Sequence, residues 1–359
     1  MKKVLLFLVL PIIILTSLSF LRSFINSFSP VASADFEEPE EIALEKKIGQ
    51  LFIIGIEGKE PSREMEELIK EVQPGGVLLL GRNIESRGQV KKLTSFLQKV
   101  SLENTGFPLL IAVDQEGGLV SRVEWAEKTP QAMIADPRIA EKIGKLRGED
   151  LKELGINVNL APVLEKHLRD DFLFGRGFQR ENYASLASSF IQGQKHSGVF
   201  TCIKHFPGYV GISFNPEERL AFVEEVPDTS VFKEASRTKP EIVMLSNAVY
   251  EEIDESLPFS FTPKGIKLLE KEVQGNPLVV SDDLSQNSLL YNFTLEEIVS
   301  YPVNAGVDMI VFSGWRKPVL EGFAALMESA RKGKVEAGKI NKAFEKILEL
   351  KSKLRDEQN

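Results

Sequence analysis

Pro277-Leu278-Val279-Val280-Ser281-Asp282-Asp283-Leu284 is the stretch on which the fold turns. Four apolar residues, two of them β-branched, run straight into two adjacent carboxylates. Gly275-Asn276 bounds the run on its other side. A short apolar run with such punctuation reads as a buried strand. A strand without polar alternation suits a parallel sheet covered on both faces. Acids at the C-terminal end of such a strand lie where α/β barrels hold their chemistry.

The same grammar recurs along the chain. Apolar runs are centred on Gln50–Gly55, Gly75–Gly81, Pro108–Val113, Gly155–Pro162, Gly198–Ile203, Glu241–Ser246 and Val307–Phe312. With the opening stretch they make eight strands. Between them lie segments of helical spacing, among them 61–72, 86–99, 140–154, 183–197, 264–273 and 295–304, with 317–332 and 337–354 closing the chain. Strands alternating with helices over about 320 residues predict an α/β protein, a single (β/α)8 TIM-type barrel. A doubly wound open sheet is the alternative. It would carry a glycine-rich phosphate loop after its first strand, and neither GxGxxG nor GxxxxGK[ST] is found.

Composition narrows the function. Hydrophobic residues make up 43% of the 359 and charged residues 27%, as in soluble globular proteins. A net charge of -8 without a basic stripe argues against a nucleic-acid partner. The single cysteine, Cys202, lies in an apolar run and reads as a small core residue. The three histidines, His167, His196 and His205, show no metal-ligand spacing, so no metal or other cofactor is expected.

The N-terminus stands apart. Lys2-Lys3 precedes an uncharged run from Val4 to Leu21. That is the build of an export signal or an uncleaved membrane anchor. Ala32-Ser33-Ala34 has the look of a cleavage site, though it lies far beyond the apolar run. Residues 1–34 are therefore assigned as signal peptide or anchor, 35–41 as linker and 42–359 as the barrel. Either reading exports the body, membrane-anchored or secreted, with Lys2 and Lys3 on the cytoplasmic side. Oligomeric state is not legible.

Polar residues gather after the apolar runs. Asp114 and Glu116 follow the third strand, Lys204 and His205 the fifth, Asn247 the sixth, and Asp282 and Asp283 the seventh, with Arg176 in the long segment after the fourth. Each has a plain structural reading: Asp283 as a helix cap, Glu116 as a satisfied buried acid, Lys204 as a rim cation. Repeated at one end of one barrel, they imply a polar pocket.

At these residues the chain resembles the glycoside hydrolase family 3 N-terminal domain, and within it the bacterial β-N-acetylhexosaminidase branch. The resemblance rests on Gly75–Asn83, Val113-Asp114-Gln115-Glu116-Gly117-Gly118, Asn157–Val163, Lys204-His205-Phe206-Pro207-Gly208, Ser281-Asp282-Asp283-Leu284-Ser285 and Ala305–Met309. It spans residues 42 to 354 in order and implies a barrel of the (β/α)8 type. It also implies retaining hydrolysis of β-linked amino-sugar glycans, cell-wall fragments among them, through a covalent glycosyl-enzyme. The implied nucleophile is Asp282. The implied sugar-binding residues are Asp114, Arg122, Arg176, Lys204 and His205. Such chemistry needs an ionised carboxylate on a rigid element below the anomeric carbon.

One part of the pattern is missing. The branch carries an Asp-Ser-His acid/base motif shortly after Lys-His-Phe-Pro-Gly, and here those positions read Asn215-Pro216-Glu217. Tyr209-Val210 replaces His-Gly, and Leu119 replaces an arginine after Glu-Gly-Gly. No histidine follows His205. Three readings stand: Glu217, or Glu218, serves as acid/base with a pKa raised by burial or by Asp282; the barrel is a catalytically degenerate, membrane-anchored glycan-binding protein; or another group does the work.

Overall fold

Eight short parallel strands close on themselves in chain order, each hydrogen-bonded to its sequence neighbours and the last to the first. The computed structural model describes residues 42–356; the signal, anchor and linker assignments fall on residues 1–41, outside the described ones. The barrel strands are β1 Phe52–Gly55, β2 Gly76–Leu79, β3 Leu110–Val113, β4 Val158–Asn159, β5 Phe200–Phe206, β6 Ile242–Leu245, β7 Leu278–Asp283 and β8 Met309–Phe312. All eight pairings are parallel, including Phe52 opposite Ile310 at the closure. This is the expected TIM-type barrel, and the open sheet is excluded.

The helices wrap the outside. They are α1 Leu44–Gln50, α2 Arg63–Val72, α3 Arg87–Thr105, α4 Pro137–Glu153, α5 Tyr183–His196, α6 Ser230–Ala235, α7 Pro263–Glu272, α8 Leu295–Ala305, α9 Lys317–Arg331 and α10 Ala337–Asp356. Local chemistry fixes where many of them start. Ser62 accepts from the Met65 amide at 3.2 Å and Ser86 from Gln89 at 3.3 Å. Thr294 and Glu297 form a reciprocal capping box. Pro137 and Pro263 occupy first helical positions, where no amide hydrogen is needed. Among the described residues no helix is long and apolar enough to cross a membrane.

The core lies where the strand runs meet the inner helix faces. Cys202, Ile203 and Phe206 on β5 and Val280 on β7 are fully buried. Burial pushes the Cys202 thiol up to about 12, so it packs as an inert apolar group.

β4 is shorter than its apolar run suggests. Only Val158 and Asn159 pair as strand, though backbone bonds continue at Asn157 and Leu160 and side-chain amides add to them. Asn157 accepts from the Ile111 amide at 2.8 Å, and Asn159 accepts from Gln115 at 3.0 Å. Asn159 also donates to the Gln115 carbonyl at 3.1 Å and to Gln194 at 2.8 Å. Asn157 thereby fastens β3 itself, and Asn159 the start of the loop after it, the first wall of the site.

Candidate active site

The C-terminal ends of the strands open into a cavity of about 440 Å³. Asp114, Arg122, Arg176, Lys204, His205, Glu217 and Asp282 all line it. The structure therefore brings together the nucleophile candidate, Glu217 and the five implied sugar-binding residues.

One wall is a buried charge cluster. Lys204 is only 2% exposed. Its Nζ donates to Asp114 at 2.6 Å and forms an ion pair with Glu116 at 2.7 Å. Arg176 grips Glu116 with both prongs, at 2.9 and 2.6 Å. Burial pushes the Glu116 acid up, but Arg176 and Lys204 outweigh it and hold the pKa at about 2. The same acids hold Lys204 and Arg176 firmly protonated against their own burial. Glu116 is thus a satisfied buried acid, and it also fixes two cations at the cavity. Lys204 is no rim cation.

Backbone chemistry steers this wall. Arg147, buried beneath it, donates to the Glu116 carbonyl at 2.5 Å and to Glu127 at 2.9 and 2.6 Å. Gly117 sits at φ +88°, and a Cβ there would lie 2.2 Å from the Thr129 carbonyl. Only glycine fits that approach. The tight turn brings Arg122 to the cavity. The Arg122 Nε is buried and has no hydrogen-bond partner among the described residues.

His205 is held from behind. Glu165 accepts from the His205 backbone amide at 2.8 Å and meets its Nδ1 at 2.7 Å. Burial raises the Glu165 acid, but His205 and His167 bring it well below the usual carboxylate range. A carboxylate here makes Nδ1 the donor and leaves Nε2 as the free ring nitrogen of His205.

The opposite wall is the end of β7. Its register against β8 is irregular between Val280 and Asp283, a feature common beside active sites. Asp282 Oδ1 accepts from the Asp283 amide at 2.8 Å. Asp282 Oδ2 accepts from the Tyr209 hydroxyl at 2.8 Å, and that oxygen in turn accepts from the Asn247 amide at 2.7 Å. Tyr209 is 3% exposed. Burial, then the charge of Asp282, push its phenol well above the usual range, so it remains a donor.

Asp283 points away from this work. Its Oδ1 accepts from Ser285 at 2.9 and 2.7 Å and from the Ser313 amide at 3.1 Å, while Oδ2 takes the Ser313 hydroxyl. Its backbone carbonyl accepts from Asn247 at 3.0 Å. It fastens β7 to the segment after β8 and is not a helix cap.

Glu217 stands on the loop over the mouth. Asn215 Oδ1 accepts its amide at 3.1 Å, and its carbonyl accepts from Ser288 at 2.9 Å. The loop is zipped to the neighbouring wall by Gly211 donating to Asp171 at 3.0 Å and Phe172 donating to the Ile212 carbonyl at 2.8 Å. The Glu217 side chain remains open to solvent, with no ion pair among the described residues. Partial desolvation at the mouth, then Asp282 and Asp283, raise its pKa. Glu218 does not line the cavity.

Tyr209 and Glu165 are site residues that sequence reasoning passed over. Tyr209 was legible only as a change in a matched motif, one residue past Lys204-His205-Phe206-Pro207-Gly208. Glu165 gave no signal beyond its place after Val163. Among the described residues no cluster of three or more His, Cys, Asp or Glu is arranged to hold a metal.

Comparison with known proteins agrees with the architecture. The profile of the glycosyl hydrolase family 3 N terminal domain matches residues 43–350. A β-hexosaminidase of Tolumonas auensis is 28% identical over 277 residues, covering 72% of this chain and 81% of that protein. An uncharacterized secreted glycosyl hydrolase of Arthroderma benhamiae is 27% identical over 340 residues, 87% of this chain and 94% of its own. Among solved structures, a glycoside hydrolase family 3 β-N-acetylglucosaminidase from Paenibacillus sp. str. FPU-7 superposes with a TM-score of 0.80 at 28% identity. That match covers 87% of this chain but only 62% of the larger protein. A β-N-acetylhexosaminidase from Beutenbergia cavernae gives 0.78 at 27% identity, over 88% of this chain and all of the other.

Proposed function

The chain belongs to the glycosyl hydrolase family 3 N-terminal domain family, and from that membership we propose that it is an exported, retaining β-N-acetylhexosaminidase-like hydrolase of amino-sugar glycans, cell-wall fragments among them. Asp282 is the nucleophile and Glu217 the acid/base. The observation that carries this reading is that both carboxyls line one cavity, with Asp282 oriented by two donors and Glu217 carrying a raised pKa.

In this scheme Asp114, Arg122, Arg176, Lys204 and His205 hold the hydroxyls and N-acetyl group of one sugar, placing its anomeric carbon above Asp282. Protonated Glu217 gives its proton to the glycosidic oxygen as Asp282 attacks, and the leaving sugar departs. Glu217, now ionised, takes a proton from water, which attacks the glycosyl-enzyme and frees Asp282. Tyr209 and the Asp283 amide hold the Asp282 carboxylate oxygens in place. A carboxyl acid/base here replaces the branch's histidine dyad.

The export reading rests on the sequence of residues 1–34, as signal or anchor, with the secreted Arthroderma relative as a precedent. The test is hydrolysis of nitrophenyl N-acetyl-β-glucosaminide and of a β-linked disaccharide by the wild type, Asp282→Ala and Glu217→Gln. Loss of both activities in Asp282→Ala, with loss chiefly of disaccharide cleavage in Glu217→Gln, supports the assignment. Glycan binding without hydrolysis of either substrate overturns it in favour of a degenerate, glycan-binding barrel.

A further inference from the structure

His167 takes no part in the proposed chemistry, yet it sits between two acids that brace the site. Its side chain is fully buried in the loop after β4. Nε2 lies 3.6 Å from Glu165 Oε1, and Nδ1 lies 3.7 Å from Asp171 Oδ2. Neither nitrogen has a hydrogen-bond partner among the described residues. Both carboxylates are themselves buried.

Each acid leads to a different wall. Glu165 accepts from the backbone amide of His205 and meets its ring. Asp171 Oδ1 accepts from the Gly211 amide at 3.0 Å, and the next residue, Phe172, donates to the Ile212 carbonyl at 2.8 Å. Gly211 opens the loop that carries Glu217, six residues further on. Asp171 Oδ2 also accepts from the Leu168 amide at 2.7 Å, which closes a short turn just after His167.

The charges are unevenly shared. Glu165 has His205 as a second ion-pair partner at 2.7 Å, whereas Asp171 has no ion pair besides His167 among the described residues. A neutral imidazole would turn one lone pair toward a carboxylate. Only the imidazolium presents an N–H to both. At 3.6 and 3.7 Å the two pairs act through charge rather than through directed hydrogen bonds. A buried carboxylate deprived of its cation is costly to keep. Without His167, Asp171 would turn to water and release Gly211.

We propose that His167, as an imidazolium, is a positioning residue that ties Asp171 to Glu165 and so seats the loop bearing Glu217 against the wall bearing His205. The role rests on the reading of Glu217 as acid/base and deepens it. His167 does not line the cavity and acts only through its neighbours.

The test combines hydrogen exchange with kinetics in the full-length protein. In His167→Gln, the amides of residues 209–219 exchange about ten-fold faster than in the wild type, while those of β1, β2 and β3 are unchanged. In the same variant kcat on a β-linked disaccharide falls about ten-fold, and kcat on nitrophenyl N-acetyl-β-glucosaminide changes by less than about two-fold, because the better leaving group needs little help from Glu217. His167→Lys keeps the charge at similar volume and retains more of the loop's protection than His167→Gln. Asp171→Ala cuts the same link at its other end and repeats both changes. Unchanged exchange over 209–219 in His167→Gln and Asp171→Ala overturns the role. Faster exchange spread evenly over the barrel, equal losses on the two substrates, or a His167→Lys loop no better protected than that of His167→Gln also overturn it. If the wild type cleaves neither substrate but the exchange pattern holds, the link stands and the catalytic reading falls. If Glu217→Gln loses chiefly disaccharide cleavage while His167→Gln leaves exchange and kcat alone, the link falls and the catalytic reading is untouched.

Discussion

The Tyr209 hydroxyl donates to Asp282 Oδ2 at 2.8 Å while accepting from the Asn247 amide at 2.7 Å. The phenol is thus aligned on both sides before any substrate arrives. Its ring packs on His205, centroids 5.1 Å apart, so it also touches the wall at the end of β5.

Tyr209→Phe keeps that packing and removes the donor. A hydrogen bond to a charged group contributes about 1.5–3 kcal/mol. The expected outcome is a ten- to hundred-fold drop in kcat/KM, since about 1.4 kcal/mol is a factor of ten, with a modest fall in the thermal midpoint because the buried Asn247 amide loses its acceptor. Steady-state kinetics beside a melting curve decides it, and a large fall in the midpoint with intact kcat refutes the assignment.

In its proposed acid/base role, Glu217 sets a pH limit. As an acid it works protonated, and its pKa is raised by desolvation, then by Asp282 and Asp283. Activity on a disaccharide should therefore fall as pH rises through that raised value. The alkaline limb should vanish in Glu217→Gln, with residual activity confined to nitrophenyl substrates. A pH–rate profile that keeps the same limb in the variant assigns the acid elsewhere.

Glu116 links the site to stability. Its pKa is about 2 in the folded protein against an ordinary 4.5. A carboxylate depressed in this way stabilises the fold fully above pH 4.5, and the contribution is lost as pH falls toward 2. At about 1.4 kcal/mol per unit, the loss is ~3 kcal/mol. Unfolding stability at pH 6 and pH 3 captures about 2 kcal/mol of it, because Glu116 is still mostly ionised in the folded protein at pH 3. Glu116→Gln should erase that part of the difference and lower stability at pH 6, because it leaves Arg176 and Lys204 short of one charge.

The foot of the barrel holds a second titrating group. Lys351 on α10 is buried, with its Nζ donating to Gln50 at 2.6 Å, and burial lowers its pKa from 10.5 to about 7. Between those values the unfolded chain binds a proton that the folded chain refuses. Stability should rise from pH 7 toward pH 10 by this term. Lys351→Met should flatten the rise, which thermal midpoints at pH 7 and pH 9 report. An unchanged slope would mean that water reaches the ammonium group.

The sequence carried the barrel because each strand is an apolar run with a polar terminus, and that pattern is local. The side-chain bonds that Asn157 and Asn159 make around β4 were not legible, because no periodicity encodes them. Lys204, Arg176 and Asp282 were legible as charges at strand ends. Their partnering was not: whether Glu116 meets Lys204, Arg176 or neither depends on how far apart in space the ends of β3, β4 and β5 fall. Tyr209 shows the same limit. Its hydroxyl does chemistry only because β7 brings Asp282 beneath it, 73 residues further along.

The pairing of Phe52 with Ile310 that closes the sheet has a mechanical consequence. Every barrel strand is flanked on both sides, so none presents a free row of amides and carbonyls to another copy of the chain. Nor can a first or last strand peel away by itself. Removing any strand breaks two ladders at once, which ties the loops over the mouth to the cooperativity of the whole barrel.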